Sequence, residues 1–201
     1  MSWLLALHSS SVVLGVGLQR LDDPQPPIWR EFDLGRSLSN QLFDCVEQVL
    51  PASHWSDLAR LAVATGPGGF TGTRLTVVMA RTLAQQLALP LDGVSSFLLV
   101  ARRLELQQPT WLLQELPRRG VVAGLYAPQP DLPGGMAQLE SPRLFRDPAE
   151  IPAGPRCPAA VQLPDDVEQL LAISGARHRS PTPGAPWQLV LPIYPTSPVD
   201  G

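Results

Sequence analysis

The sequence predicts an α/β protein in which three antiparallel strands lead into two β–α crossovers. Short apolar runs separated by polar turns fill the first 34 residues, as strands and hairpins require. From Ser37 the apolar period becomes helical. Leu58 to Thr65 is then predominantly apolar, as a central parallel strand buried on both faces should be.

In chain order, Trp3–Leu7 and Val12–Leu18 flank the polar turn His8-Ser9-Ser10-Ser11 and read as a hairpin, and Ile28–Leu34 reads as a third strand. Leu38, Leu42, Cys45, Val46 and Val49 fall at spacings of three and four, and Pro51 ends that helix. The strand at 58–65 precedes a helix that runs to Leu89. Pro90–Val94 is a short strand, and Ser95–Leu104 a helix capped by Ser95 or Ser96. The order β-β-β-α-β-α-β-α over residues 1–105 describes a ribonuclease-H-like lobe with a mixed five-stranded sheet, the lobe of the actin-like ATPases. Residues 106–201 read as a reduced, proline-rich second lobe. Strands are expected at Trp111–Leu116, Val121–Tyr126 and Trp187–Leu191, with a helix at Asp165–Ile173 and no assignment for Pro128–Pro164.

Composition narrows the chemistry. The 201 residues are 44% hydrophobic and 16% charged, with 23 prolines and a formal charge of −3. All fifteen basic residues are arginine, which excludes a Schiff-base lysine and a P-loop lysine. The arginines form pairs (Arg102-Arg103, Arg118-Arg119) rather than a stripe, so no nucleic-acid footprint emerges. Cys45 and Cys157 are lone thiols, which fits a reducing compartment without a disulfide. Trp3–Leu7 is too short for a signal h-region, and no stretch approaches a membrane span. A soluble, cytoplasmic protein is expected.

The segment Gly66-Pro67-Gly68-Gly69-Phe70-Thr71-Gly72-Thr73-Arg74 joins a strand end to a helix start. Glycines there permit positive φ and close backbone approach, and a helix N-terminus offers free N–H groups. Phosphate contact and a tight turn that only packs the helix both remain open. It is not a Walker A loop, which needs Gly-Lys-Ser/Thr where Gly72-Thr73-Arg74 stands.

This phrase, with Pro90-Leu91-Asp92-Gly93-Val94-Ser95-Ser96 beyond the helix, resembles the TsaB (YeaZ) family, whose usual pattern is Gly-Pro-Gly-Ser-Phe-Thr-Gly-Leu-Arg. Ser39 with Leu42, Arg118-Arg119-Gly120 leading to Leu125-Tyr126, and Pro192-Ile193-Tyr194 fit the same likeness, which is strong over residues 1–105 and faint beyond. The resemblance implies a non-catalytic partner in threonylcarbamoyladenosine synthesis on tRNA, beside the anticodon. It would scaffold the transferase TsaD, with the ATPase TsaE joining at the junction. No cofactor would be bound by the chain alone, with ATP or ADP met only at the complex interface near Gly66, Gly68, Gly69, Thr71 and Gly72. tRNA would be touched only indirectly, and a homodimer through the same surface is also implied. Three departures stand out: His8-Ser9-Ser10 replaces the usual Asp-Thr-Ser, Leu38 the usual histidine, and Leu116-Pro117-Arg118 the usual Asp-Ala-Arg.

No catalytic set is expected. His8 in a turn reads as a surface or satisfied histidine, and His54 and His178 lie in separate contexts without metal-ligand spacing. Ser9–Ser11 lack a Gly-x-Ser-x-Gly elbow, and Asp92 is a single carboxylate. The helix after the glycine turn is apolar over a wide arc: Val77, Ala80, Ala84 and Leu87 on one side, Leu75, Val78, Met79 and Thr82 on another. Either other segments of the chain cover the second row or another protein does. With Leu42, Cys45, Val46 and Val49 of the first helix, that row is the expected partner interface, because the family's two helices pair with two of TsaD. The competing readings are a self-sufficient actin-like ATPase or phosphotransferase and a homodimeric structural protein.

Overall fold

The computed structural model describes residues 1–23, 25–179 and 186–195. Two sheets organise them. The first holds β1 (Trp3–His8), β2 (Val13–Arg20), β3 (Ile28–Asp33), β4 (Leu58–Ala64) and β5 (Leu91–Val94) in the order β3-β2-β1-β4-β5. β1 runs antiparallel to β2 and parallel to β4, and β4 runs parallel to β5. Three hairpin-linked strands followed by two crossovers were the sequence expectation, and the sheet is mixed and five-stranded as that order requires.

Apart from the exposed edge strand β3, both faces of this sheet are buried, and side-chain alternation divides them. Leu5, Leu7, Leu14, Val16, Leu61, Val63 and Leu91 point to one face, where α1 (Leu38–Glu47) and α2 (Phe70–Leu87) cover them. Leu4, Ala6, Ala62, Ala64 and Val94 point to the other and meet Val167, Leu170 and Leu171 of α4 (Asp165–Arg179). A Cβ on Gly15 or Gly17 of β2 would lie 2.5 Å from a Val167 methyl, so the glycines admit α4 at close range. The first sheet is therefore completed by a helix from far along the chain.

The second sheet has the order β8-β7-β6-β9, from β6 (Thr110–Leu116), β7 (Gly120–Pro128), β8 (Met136–Phe145) and β9 (Arg156–Pro158). Phe97, Val100 and Ala101 of α3 (Ser96–Arg103) pack against its Leu112, Val122 and Tyr126.

Several expectations are corrected. The stretch left unassigned at 128–164 contains β8 and β9. Its prolines masked the strand pattern, yet Pro142 sits on an edge strand beside a register shift, where a missing donor is tolerated. Trp187–Leu191 is not a strand: 187–189 form one 3-10 turn, and Ile193 N–H then donates to the Thr65 carbonyl at 2.7 Å. Ser95 is the N-cap of α3, but its hydroxyl bonds the Tyr126 hydroxyl instead of the helix. Both cysteines are free, and among the described residues no helix is long and apolar enough to cross a membrane.

Candidate functional site

β4 delivers the glycine turn to the start of α2, and the chain's own backbone fills the space the glycines leave. A Cβ on Gly68 would stand 2.2 Å from the Ser10 carbonyl oxygen, and one on Gly72 would stand 2.7 Å from that of Ser9. Gly69 N–H donates to the Ser10 carbonyl at 2.8 Å, and the Ser9 and Thr76 hydroxyls lie 2.9 Å apart. On the other flank Ser96 N–H donates to the Gly66 carbonyl, and its hydroxyl to that of Pro67 at 2.6 Å. The close approach that the sequence predicts is thus made by the β1–β2 turn. Gly66 is buried, Gly68 and Gly72 are half-buried, and Gly69 and Thr71 face solvent.

His8 is buried, so of the two expectations, a surface or a satisfied histidine, the first is excluded. Its Nδ1 accepts from Ser10 N–H at 3.4 Å, and its Nε2 has no partner among the described residues. Burial lowers its pKa to about 4, so the imidazole is neutral at physiological pH. The position usually held by an aspartate therefore carries no charge, and a metal–phosphate group beside this turn would find no carboxylate there.

The other candidate chemistry is dispersed. His54 is exposed beside Asp57, and His178 lies on the last turn of α4. Among the described residues no three of His, Cys, Asp and Glu form a metal cluster. A cleft of about 780 Å3 lies between the β1–β2 turn and the edge of the second sheet, with Ser11, Val12, Leu113, Cys157 and Val161 on its walls. Its arginine, Arg156, is engaged with the Ile151 carbonyl.

The helix pair divides the expected interface residues. Leu42, Cys45, Val46 and Met79 are 5%, 2%, 0% and 4% exposed and belong to the core of the first sheet. They lie in the protein's own core and not on the solvent-facing surface where the partner interface is expected. Val49 and Leu75 are half-buried against the same core. Val78, at 52% exposure, and Thr82 face solvent. Two exposed aromatics escaped the sequence reading. Phe43 projects from α1 and tilts against Trp55 at 6.4 Å, and Phe70 opens α2 against Tyr194 at 4.9 Å. The signal for Phe43 was an aromatic displaced from the α1 apolar period.

Comparison with known proteins follows this architecture. Residues 33–122 match the family model described as TsaD, tRNA N6-adenosine threonylcarbamoyltransferase. The chain is 34% identical over 97 residues to the tRNA threonylcarbamoyladenosine biosynthesis protein TsaB of Bacillus subtilis (strain 168). That match covers 46% of this chain and 41% of the relative, less than half the relative's length. A Pseudomonas aeruginosa protein described as having similarity to peptidase YEAZ superposes with TM-score 0.73 at 21% identity, covering 98% of this chain and all of the other. YeaZ from Pseudomonas aeruginosa gives 0.71 at 22%, covering 96% of this chain and all of that one. Together they place the fold among the YeaZ structures, over both sheets.

Proposed function

We propose that the chain is a TsaB/YeaZ-type protein, as its likeness to TsaB and YeaZ supports, and that it acts in tRNA threonylcarbamoyladenosine formation as a non-catalytic scaffold. Its partner is a TsaD-type protein, docked on the exposed row of α2. A TsaE-type ATPase joins at the junction, where the solvent-facing Gly69 and Thr71 lie near any ATP or ADP it carries. A second copy of the chain uses the same helix row when the partner is absent. tRNA is left to the partner, consistent with a formal charge of −3 and paired rather than striped arginines.

One observation carries the reading: the glycine turn is filled by the Ser9–Ser10 backbone, with neutral His8 behind it. A phosphate-transfer site needs open amides and a metal-holding carboxylate at that junction. The paired helices leave Val78 and Thr82 free, the part of the surface that remains for a partner.

The test is restoration of the modified nucleoside in cells depleted of their own TsaB, read by nucleoside mass spectrometry. Restoration by the wild-type chain is expected, and failure to restore overturns the pathway assignment. In parallel, Mg-ATP titrated calorimetrically into the isolated chain is expected to give no binding heat. A stoichiometric heat overturns the non-catalytic part alone.

A further inference from the structure

We infer that a cleft along the outer edge of β5 binds a small organic anion with an apolar body. β5 is the last strand of its sheet, and the cleft beside it has a volume of about 720 Å3. That lies within the roughly 300–1,000 Å3 of small-molecule sites. The inference does not rest on the tRNA-modification reading.

One end of the cleft is cationic. Asp92, 1% exposed, accepts from Arg60 Nε at 2.6 Å and from Arg60 Nη2 at 3.1 Å. Arg177 Nη1, reaching down from α4, lies 3.4 Å from the same carboxylate. Among the described residues Asp92 is the sole acidic residue of the cleft wall, so two guanidiniums face one carboxylate there and a positive charge is left over. Arg60 is itself 5% exposed, and its Nη1 makes no hydrogen bond among the described residues. An uncompensated charge in a partly buried position is costly, and an anion between the two arginines would remove that cost.

The far wall is polar but neutral. The Tyr126 hydroxyl donates to Gln138 Oε1 at 3.1 Å and therefore accepts from the Ser95 hydroxyl, also at 3.1 Å. Ser95 Oγ keeps its lone pairs for a ligand donor. Gln138 Nε2 donates to Ser141, which leaves one N–H without a partner among the described residues. Between these ends Leu98, Val190 and Leu191 form an apolar wall. The cationic end and the apolar wall together select an anionic head on an apolar body, and the neutral polar end can receive a hydrogen-bonding group at the body's other terminus.

Octanoate and octyl phosphate are the probes, with octan-1-ol as the neutral control, each titrated into the full chain by calorimetry. Methyl NMR locates the binding. At least one anion is expected to bind saturably and to shift the Leu98, Val190 and Leu191 methyls. Which one binds identifies the head group. Arg177 is half-exposed, so Arg177→Gln keeps the buried Arg60–Asp92 pair and the fold. It is expected to weaken the anion roughly tenfold, the weight of one hydrogen bond to a charged group, and to leave octan-1-ol unchanged. Binding by neither anion, equal affinity in Arg177→Gln, or shifts confined to the cleft beside Cys157 would each overturn the inference. The scaffold role would stand in every case, since complementation tests it separately.

Discussion

The glycine-rich segment 66–74 and the eighteen-residue helix α2, which begins inside it at Phe70, belong to one β–α unit, yet they meet their surroundings in opposite ways. The turn spends its conformational freedom inward: Gly68 and Gly72 admit the Ser9–Ser10 backbone and leave no room for a side chain. The helix is divided. Its Met79 is buried in the core that α1 also covers, while its Val78 stays open to solvent. Adjacent residues of nearly equal hydrophobicity thus serve different ends, and the geometry of α1 decides which is which.

Substitutions one residue apart break this comparison most sharply. Met79→Arg places a charge in a site 4% exposed, with no acidic partner in its apolar cluster, and is expected to cost roughly 4 kcal/mol or abolish folding. Urea unfolding measures it. Gly68→Ala comes next, because the added carbon meets a backbone oxygen that cannot swing aside as a side-chain end would. A loss of about 3 kcal/mol is expected, against about 0.5 kcal/mol for Gly69→Ala, whose nearest neighbour would be 3.5 Å away. Equal losses at the two glycines would show that the turn is not clamped by Ser10.

Much of the first sheet was legible because its strands and helices each keep one apolar period, from Trp3 to Arg103. β8 was not, since prolines at 130, 133 and 142 look like loop punctuation until an edge position makes the last of them harmless. The seat of α4 had a readable signal in Gly15 and Gly17, glycines at alternate positions of an apolar strand. The interface row was misjudged for a different reason. Periodicity assigns residues to faces of one helix, but only the position of α1 says which face it covers. Arg60 and Asp92 offered another signal, opposite charges inside neighbouring apolar strands, and a buried pair is the economical way to place them there.

His8 sharpens the contrast at the turn through pH. Its folded pKa of about 4 lies below the ordinary 6.5, so the unfolded chain takes up a proton first as the pH falls. The stability is complete above pH 6.5 and is lost as the pH drops towards 4, by up to about 3 kcal/mol. His8→Asn keeps an acceptor for Ser10 N–H but does not titrate. Its unfolding free energy should be flatter than wild type across pH 4–6.5, and parallel curves would place the proton uptake elsewhere.

The smallest expected effect on stability belongs to Val78→Arg, within about 0.5 kcal/mol, because the side chain is 52% exposed and an arginine there can extend into water. Its consequence for association is the opposite. A docked TsaD-type helix would have to bury that guanidinium without a prepared carboxylate, so co-purification with the partner should be lost while circular dichroism and unfolding stay at wild-type values. Retained co-purification would move the interface off the α2 row, and the exposed Phe43 of α1 would be the next position to charge. Loss of binding together with loss of stability would instead mean that Val78 closes against the protein's own core, and the division of α2 into an inward and an outward row would fail.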